Sequence, residues 1–109
     1  MGAWGEGPYD NDTAADWFYD ISKKPITSLI TNGLESKDYD EIRAAAYLLE
    51  RVGETHWVYP EEYREPHVNL ALEKLKDILQ DDEWTSNWRD VKAIKKSVKD
   101  QIKALEKLL

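Results

Sequence analysis

Acidic and amide side chains near the start of the chain, Asp10, Asn11, Asp12 and Asp16, are the first candidates for chemistry. Carboxylate oxygens suit hard divalent cations, so a metal ion is the first possibility at this cluster. A calcium loop counted from Asp10 would need an acid at its fifth position, where the chain has Ala14. The calcium motif therefore fails, and Asp10, Asp12 and Asp16 are weak candidates for a looser divalent site.

The same residues also have a structural interpretation, which we favour. Asn11 and Asp12 are good N-cap residues, and an apolar face with helical spacing follows them. We expect one of them to cap a helix and Asp16 to lie in its first turns. Bonds from the other acids to the glycine-rich backbone would then hold Trp4 against Trp17.

Histidine and serine identify no catalytic set. His56 and His67 are eleven residues apart, and neither has a cysteine or a second histidine at the spacing of a zinc site. A serine–histidine–acid triad is possible on paper, but no local context distinguishes the candidate serines, which are Ser28, Ser36, Ser86 and Ser97. The sequence therefore predicts no catalytic residue, no cofactor and no bound metal beyond the weak acidic candidates.

Aromatic residues are the remaining candidates for binding. The segment after Gly53 carries two prolines and three aromatics, Trp57, Tyr59 and Tyr63, which we take as a candidate binding surface. The chain also has five tryptophans. We expect them to fill a small core, the alternative being that one or two line a groove for a peptide or sugar. These tryptophans are Trp4, Trp17, Trp57, Trp84 and Trp88.

Length and charge restrict the class of protein. We expect one domain over residues 1–109, because the chain has the length of a single domain. The absence of cysteine favours a reducing cytosol, and no apolar stretch approaches a membrane span. A net charge of −7 disfavours nucleic acids and anionic membranes as partners and suits a basic protein.

Periodicity predicts an all-α bundle of about five helices around one buried helix. The buried helix runs from Asp38 to Gly53, with Asp38 as the cap, Glu41 as a capping-box acid and Gly53 as a left-handed terminator. Its apolar run, residues 44–49, makes it apolar on most of its circumference, so other helices should surround it. An irregular glycine-rich arm docked by Trp4 should pack on this bundle.

The other helices follow from their apolar stripes and capping signals. We expect one from Asn11 or Asp12 and one from about Pro25 to Thr31 or Leu34, the alternative being that these two form a single kinked helix. A further helix over about 66–79 should begin at Pro66, and a last one should run from Ser86 or Asn87 to the C-terminus. The last is lysine-rich, which we interpret as a solvated face. Its exposed end allows pairing with a second copy, so a monomer or weak homodimer is expected.

The N-terminal residues also match a known pattern. They spell G-x-W-G-x-G-x-Y-D-N-D-x-A-x-D-W from Gly2 to Trp17. This resembles the opening of a family known as domain of unknown function 4259. The resemblance implies a bacterial, cytosolic protein without an assigned activity.

Two functions remain after these exclusions. The first is a small acidic protein-binding module, such as an inhibitor or immunity-type partner of a basic protein. The alternative is a metal-dependent or other enzyme with its site at the N-terminal acidic cluster. The lack of a catalytic set leans against an enzyme.

Overall fold

The computed structural model of the protein describes residues 5–8, 11, 13–14, 26–55 and 59–109. Five complete helices lie in these ranges, and their presence confirms the predicted all-α class. They are α1 Ile26–Leu34, α2 Tyr39–Val52, α3 Glu61–Gln80, α4 Asp82–Ser86 and α5 Val91–Glu106. The radius of gyration is 13.2 Å, as for a compact domain of this length.

Helix α2 is the buried helix that the apolar run predicts. Ala44, Ala45, Ala46 and Leu49 are fully buried, and α2 contacts α1, α3 and α5. The three small side chains let these neighbours approach closely. Helix α3 shares the central position, because it contacts all four other helices.

The start of α2 follows the prediction in one respect and departs from it in another. The Asp38 carboxylate caps the helix by accepting from the Asp40 N–H at 2.8 Å. The Asp38 N–H, however, donates to the Ser36 hydroxyl at 3.0 Å, so the predicted capping box with Glu41 is wrong. Ser36 accepts this hydrogen bond in place of Glu41, because its hydroxyl lies within reach of the Asp38 N–H.

Gly53 ends α2, but not in the predicted left-handed conformation. Its φ and ψ are −62° and −26°, a right-handed conformation open to every residue. Space is the reason for glycine here. A Cβ atom at this position would lie 2.7 Å from the Leu49 carbonyl oxygen and 2.9 Å from Cδ1 of Leu108.

We expect Gly53→Ala to lower the free energy of unfolding by about 1–3 kcal/mol, as overpacking does. The Leu49 oxygen belongs to the backbone of α2, so it cannot move aside without distorting the helix. Equilibrium urea unfolding measures the effect, and Gly53→Ala/Leu108→Ala is the matched control in which one of the two clashes is removed. A stabilised Gly53→Ala protein would show that only chain entropy matters at this position.

Helix α3 begins five residues before the predicted start. Pro66 was expected at its first position, but the helix starts at Glu61 and contains Pro66 in its interior. Proline there removes one backbone hydrogen bond, the one to the Glu62 carbonyl. Glu62 and Pro66 are both exposed, so water can satisfy that carbonyl. The interruption is tolerated for this reason.

The acidic residues after α3 do more than end a helix. Asp81 accepts from the Trp84 N–H at 3.1 Å and so caps α4, a short helix that the sequence did not predict. Its other oxygen accepts from the Tyr39 hydroxyl at 2.7 Å, which lowers the pKa of Asp81 and raises that of Tyr39. Asp81 thereby ties α4 to the start of α2.

Helix α5 starts later than predicted. It begins at Val91 because Asp90 caps it, accepting from the Ala93 N–H at 3.0 Å. The predicted starts at Ser86 and Asn87 are therefore wrong, and Trp88 lies before the helix. Ile94, Val98 and Leu105 are buried along one side, as their spacing predicts, so the helix is amphipathic.

The two tryptophans that the structure describes are partly buried. Trp84 packs against the core and meets Tyr39 and Trp88 edge to face, at centroid distances of 5.5 and 5.6 Å. Neither indole is fully enclosed, so the expectation that tryptophans fill the core is met by Trp84 only in part. The other three tryptophans lie outside the described residues.

A buried polar network joins the N-terminal arm to two helices. Arg43 is only 1% exposed; its Nε donates to Gln101 Oε1 and its Nη2 to the Ser97 hydroxyl, both at 2.7 Å. The Gln101 amide donates back to the Arg43 carbonyl at 3.0 Å. Ser97 in turn donates to the Glu6 carbonyl at 2.9 Å, and Pro8 is buried. The arm therefore packs on the bundle as predicted, although Trp4 itself is outside the described residues.

Within the described ranges, no helix combines the length and apolar character that crossing a bilayer requires.

Candidate functional site

A groove between α1 and the first half of α3 has the clearest features of a site. It encloses about 370 Å³ and is lined by hydroxyl, amide and aromatic side chains. The lining residues are Thr27, Ser28, Thr31, Asn32, Tyr63 and His67. Helix α1 contributes the first four, which follow one another at helical spacing, and α3 contributes the aromatic pair.

A chain of hydrogen bonds fixes His67 at the wall of this groove. Tyr59 is fully buried, and its hydroxyl contacts Nδ1 of His67. Burial raises the pKa of Tyr59, so the hydroxyl stays protonated and donates. The His67 proton then lies on Nε2, which is 3.4 Å from the Thr31 hydroxyl, and Thr31 donates onward to the Thr27 carbonyl at 2.9 Å.

This arrangement decides what His67 can do chemically. A general base that activates a hydroxyl must present an unprotonated nitrogen to it. Nδ1 is occupied by Tyr59, and Nε2 carries the proton toward Thr31. His67 is therefore arranged to hold the groove in shape rather than to deprotonate Thr31.

Tyr63 presents the main aromatic surface of the groove. Its ring stacks on His67 with an interplanar angle of 8° and a centroid distance of 5.7 Å. Tyr59 meets the same imidazole edge to face at 5.6 Å. Although it is held in this way, Tyr63 remains 46% exposed. The result is an aromatic ring held on a rigid support and open to solvent.

The structure separates the aromatic residues that the sequence grouped as a binding surface. Tyr63 lines the groove, whereas Tyr59 is buried beneath it and offers no surface to a partner. Tyr59 acts indirectly, by orienting His67. Trp57 lies outside the described residues.

Among the N-terminal signature residues, the structure describes Asn11. It is buried, and its side chain accepts from the Ala14 N–H at 2.7 Å, a bond of the kind that an N-cap residue makes. Within the described part of the chain, no group of three or more histidine and acidic residues is placed to hold a metal ion. The weak metal candidates Asp10, Asp12 and Asp16 lie outside that part, as do Trp4, Asp12 and Trp17 of the signature.

The comparisons with known proteins agree with the resemblance at the N-terminus. The family model described as Domain of unknown function (DUF4259) matches residues 2–100. The chain belongs to the DUF4259 family. The match covers α1 to α4, most of α5 and every residue that lines the groove. Neither the curated proteins nor the solved structures gave a match to this DUF4259 chain.

Sequence reasoning missed His67 and the α1 residues of this DUF4259 groove. A signal was available: Tyr63 and His67 are four residues apart, the spacing that brings side chains together on one helix. Starting the helix at Pro66 placed the two residues on different elements and hid the pair.

Acid should weaken the folded state of this DUF4259 domain through His67. Burial lowers the pKa of His67, so the unfolded chain binds a proton first when pH falls through about 6.5. The His67 contribution to the free energy of unfolding is therefore complete above that pH and declines as pH drops toward the folded-state pKa.

Urea unfolding at pH 7.5 and 5.5 tests this expectation by comparing the wild type with His67→Gln. Carboxylates and His56 are common to both proteins, so the difference between their pH slopes isolates His67. We expect the wild type to lose more stability on acidification. Equal slopes, or a steeper loss in the variant, would contradict the assignment.

Proposed function

We propose that this protein is a protein-binding module whose α1–α3 groove docks a basic partner, as an inhibitor or immunity-type protein would. The observation that carries the proposal is Tyr63, a large aromatic ring that is 46% exposed and yet stacked on a fixed imidazole. Tyrosine is among the residues that most often dominate binding energy at protein interfaces.

Rigidity makes this tyrosine a good anchor. Binding a flexible side chain costs conformational entropy, and the loss is smaller where the ring is already oriented. His67 supports one face of Tyr63, and the buried Tyr59 hydroxyl supports His67. The neighbouring Ser28 and Asn32 are exposed on α1 and offer hydrogen bonds to a partner backbone.

Charge around the groove favours a basic partner. Glu61, Glu62 and Glu65 are exposed at the start of α3, on the same helix as Tyr63. The Arg64 guanidinium lies 3.6 Å from the Glu61 carboxylate, which is a long ion pair. Arg64 forms no such pair with Glu62 or Glu65. The chain as a whole carries −7, so steering of a cationic surface toward this end is expected.

The proposed setting is the bacterial cytosol, with a protein rather than a nucleic acid or membrane as the partner. The absence of cysteine supports a reducing compartment, and the acidic character supports a cationic partner.

Site-specific photocrosslinking tests the proposal. A photoreactive amino acid replaces Ser28, which is exposed and lines the groove, and in a second protein it replaces Glu73, which is exposed on α3 outside the groove lining. Both proteins are irradiated in native lysate at low and high salt. We expect one basic protein to crosslink from position 28 and not from position 73, with a lower yield at high salt.

Tyr63→Ala in the position-28 protein should abolish that crosslink, and Val91→Ala is the matched control. Val91 is 37% exposed but is not among the groove residues, so its truncation should leave the crosslink unchanged. Equal crosslinking in the Tyr63→Ala protein would overturn the proposed anchor. Crosslinks with no dominant protein would overturn the binding function.

A further inference from the structure

Charge is strongly segregated along this chain. Residues 92–107 contain six lysines and two acids, Asp100 and Glu106, which give the segment a charge of +4. The remainder of the chain carries −11, which brings the total to −7. A concentrated positive region in an acidic protein calls for a physical explanation beyond solubility, because general acidity already supplies solubility.

Five of these lysines form one surface, which we call the lysine face. Its members, with Asp100, line a shallow depression of about 390 Å³. The lysine face consists of Lys92, Lys95, Lys96, Lys99 and Lys103. At 3.6 residues per turn it lies across α5 from the buried Ile94, Val98 and Leu105. The core therefore orients the lysine face toward solvent.

The lysine face is mostly uncompensated within the described ranges. The Lys96 ammonium donates to Asp100 at 2.8 Å, which lowers the pKa of that carboxyl. For the four other lysines, the residues that the structure describes supply no salt bridge. Four ammonium groups on one side of a helix repel one another, and an anionic partner would relieve that repulsion.

We propose that the lysine face binds an acidic α-helical segment of another protein. Lys92, Lys99 and Lys103 are separated by seven and four residues. At 3.6 residues per turn, this spacing places their charges on the same side of α5, one after another along the helix axis. From Lys92 to Lys103 the helix rises about 16 Å. A partner helix with acids at the same spacing would present a carboxylate near each lysine, as complementary charges do between paired helices.

Two other anionic partners fit the lysine face less well. Single-stranded nucleic acids are held by aromatic stacking and arginine as well as lysine, and the depression has neither. A membrane-surface helix inserts its apolar side into the lipid, whereas Ile94, Val98 and Leu105 of α5 are buried in the protein core. The lysine face and the α1–α3 groove share no lining residue, so a result that disproves binding at one surface leaves binding at the other unaffected.

The test uses a fluorescein-labelled helical peptide with glutamates at positions i, i+4, i+7 and i+11, followed by anisotropy at low salt. We expect saturable binding that weakens as salt rises. Lys92→Glu/Lys99→Glu should weaken it at least about tenfold, because like charges then face each other. Lys37→Glu/Lys76→Glu is the matched control, with two exposed lysines outside the lysine face and the same charge change, and should weaken binding less than about threefold.

Three results would overturn the proposal. The first is no binding by the wild type, and the second is equal weakening by both double variants. The third is binding that is as tight to single-stranded DNA of equal charge, to anionic vesicles, or to a peptide of the same composition with its glutamates spread around the helix. Circular dichroism melts of the variants establish that these exposed substitutions leave the fold intact.

Discussion

Arg43→Ala is expected to lower the free energy of unfolding by about 2–5 kcal/mol, the largest effect of any single polar substitution in the described part of the chain. The guanidinium is buried, and it donates to Gln101 and Ser97 at 2.7 Å each. Its removal leaves a cavity, and the buried Gln101 and the part-buried Ser97 each lose a donor. Without Arg43, the Ser97 hydroxyl is no longer held in the orientation in which it donates to the Glu6 carbonyl.

Thermal and urea unfolding measure the Arg43 effect, and Arg51→Ala is the matched control. Arg51 is on the same helix but exposed, so its loss should cost less than about 0.5 kcal/mol. Arg43→Met/Gln101→Leu should be less destabilised than Arg43→Ala, because both ends of the pair become apolar. If Arg43→Ala and Arg51→Ala unfolded at the same urea concentration, the network would have no energetic role.

Leu49→Ala should cost a similar amount, about 2–5 kcal/mol, for a different reason. Leu49 is fully buried in the core cluster, where truncation leaves a cavity that close-packed neighbours cannot fill. Total stability for a small domain is roughly 5–15 kcal/mol, so this one change removes a large share. The measurement is the urea midpoint with an unchanged slope.

Leu109→Ala provides the comparison for Leu49. Leu109 is 64% exposed, so the same chemical change creates no cavity. A Leu49→Ala midpoint as close to the wild type as that of Leu109→Ala would refute the central position of α2.

Apolar periodicity was sufficient to predict the bundle and its buried helix. The run Ala44–Leu49 is apolar on most of the helix circumference, and helices α1, α3 and α5 contact α2. Within the run, Tyr47 and Leu48 are half-buried and the other four residues are fully buried. Element ends depended on local hydrogen bonds that compete with one another. Asp90 captured the start of α5, and Asp81 started α4, although several nearby residues have similar capping preferences.

Two positions show why residue type alone misleads. Gly53 suggested a left-handed turn, but the tertiary approach of Leu108 explains its lack of a side chain. Pro66 suggested a helix start, but exposure of the neighbouring backbone allows it inside α3. Both depend on what surrounds the residue in three dimensions, which the order of residues does not reveal.

The groove was predictable only in part. Tyr63 was among the expected binding residues, but the burial of Tyr59 and its bond to His67 depend on contacts formed only in the folded protein. The pairing of Arg43 with Gln101 can be recognised in the sequence once the structure is known. Each is a polar residue within an apolar pattern, Gln101 lying between Val98 and Leu105, and two such residues on facing helices satisfy each other.

The bond between Ser97 and the Glu6 carbonyl joins positions 91 residues apart. During translation at 5–20 residues per second, Glu6 is therefore added to the chain roughly 5 to 18 seconds before Ser97. Arg43 is likewise synthesised well before its two acceptors on α5, Ser97 and Gln101, which follow it by 54 and 58 residues. Nascent chains lacking α5 should therefore be open to proteases and chaperones at their N-terminal end, and release of the final helix should close that window.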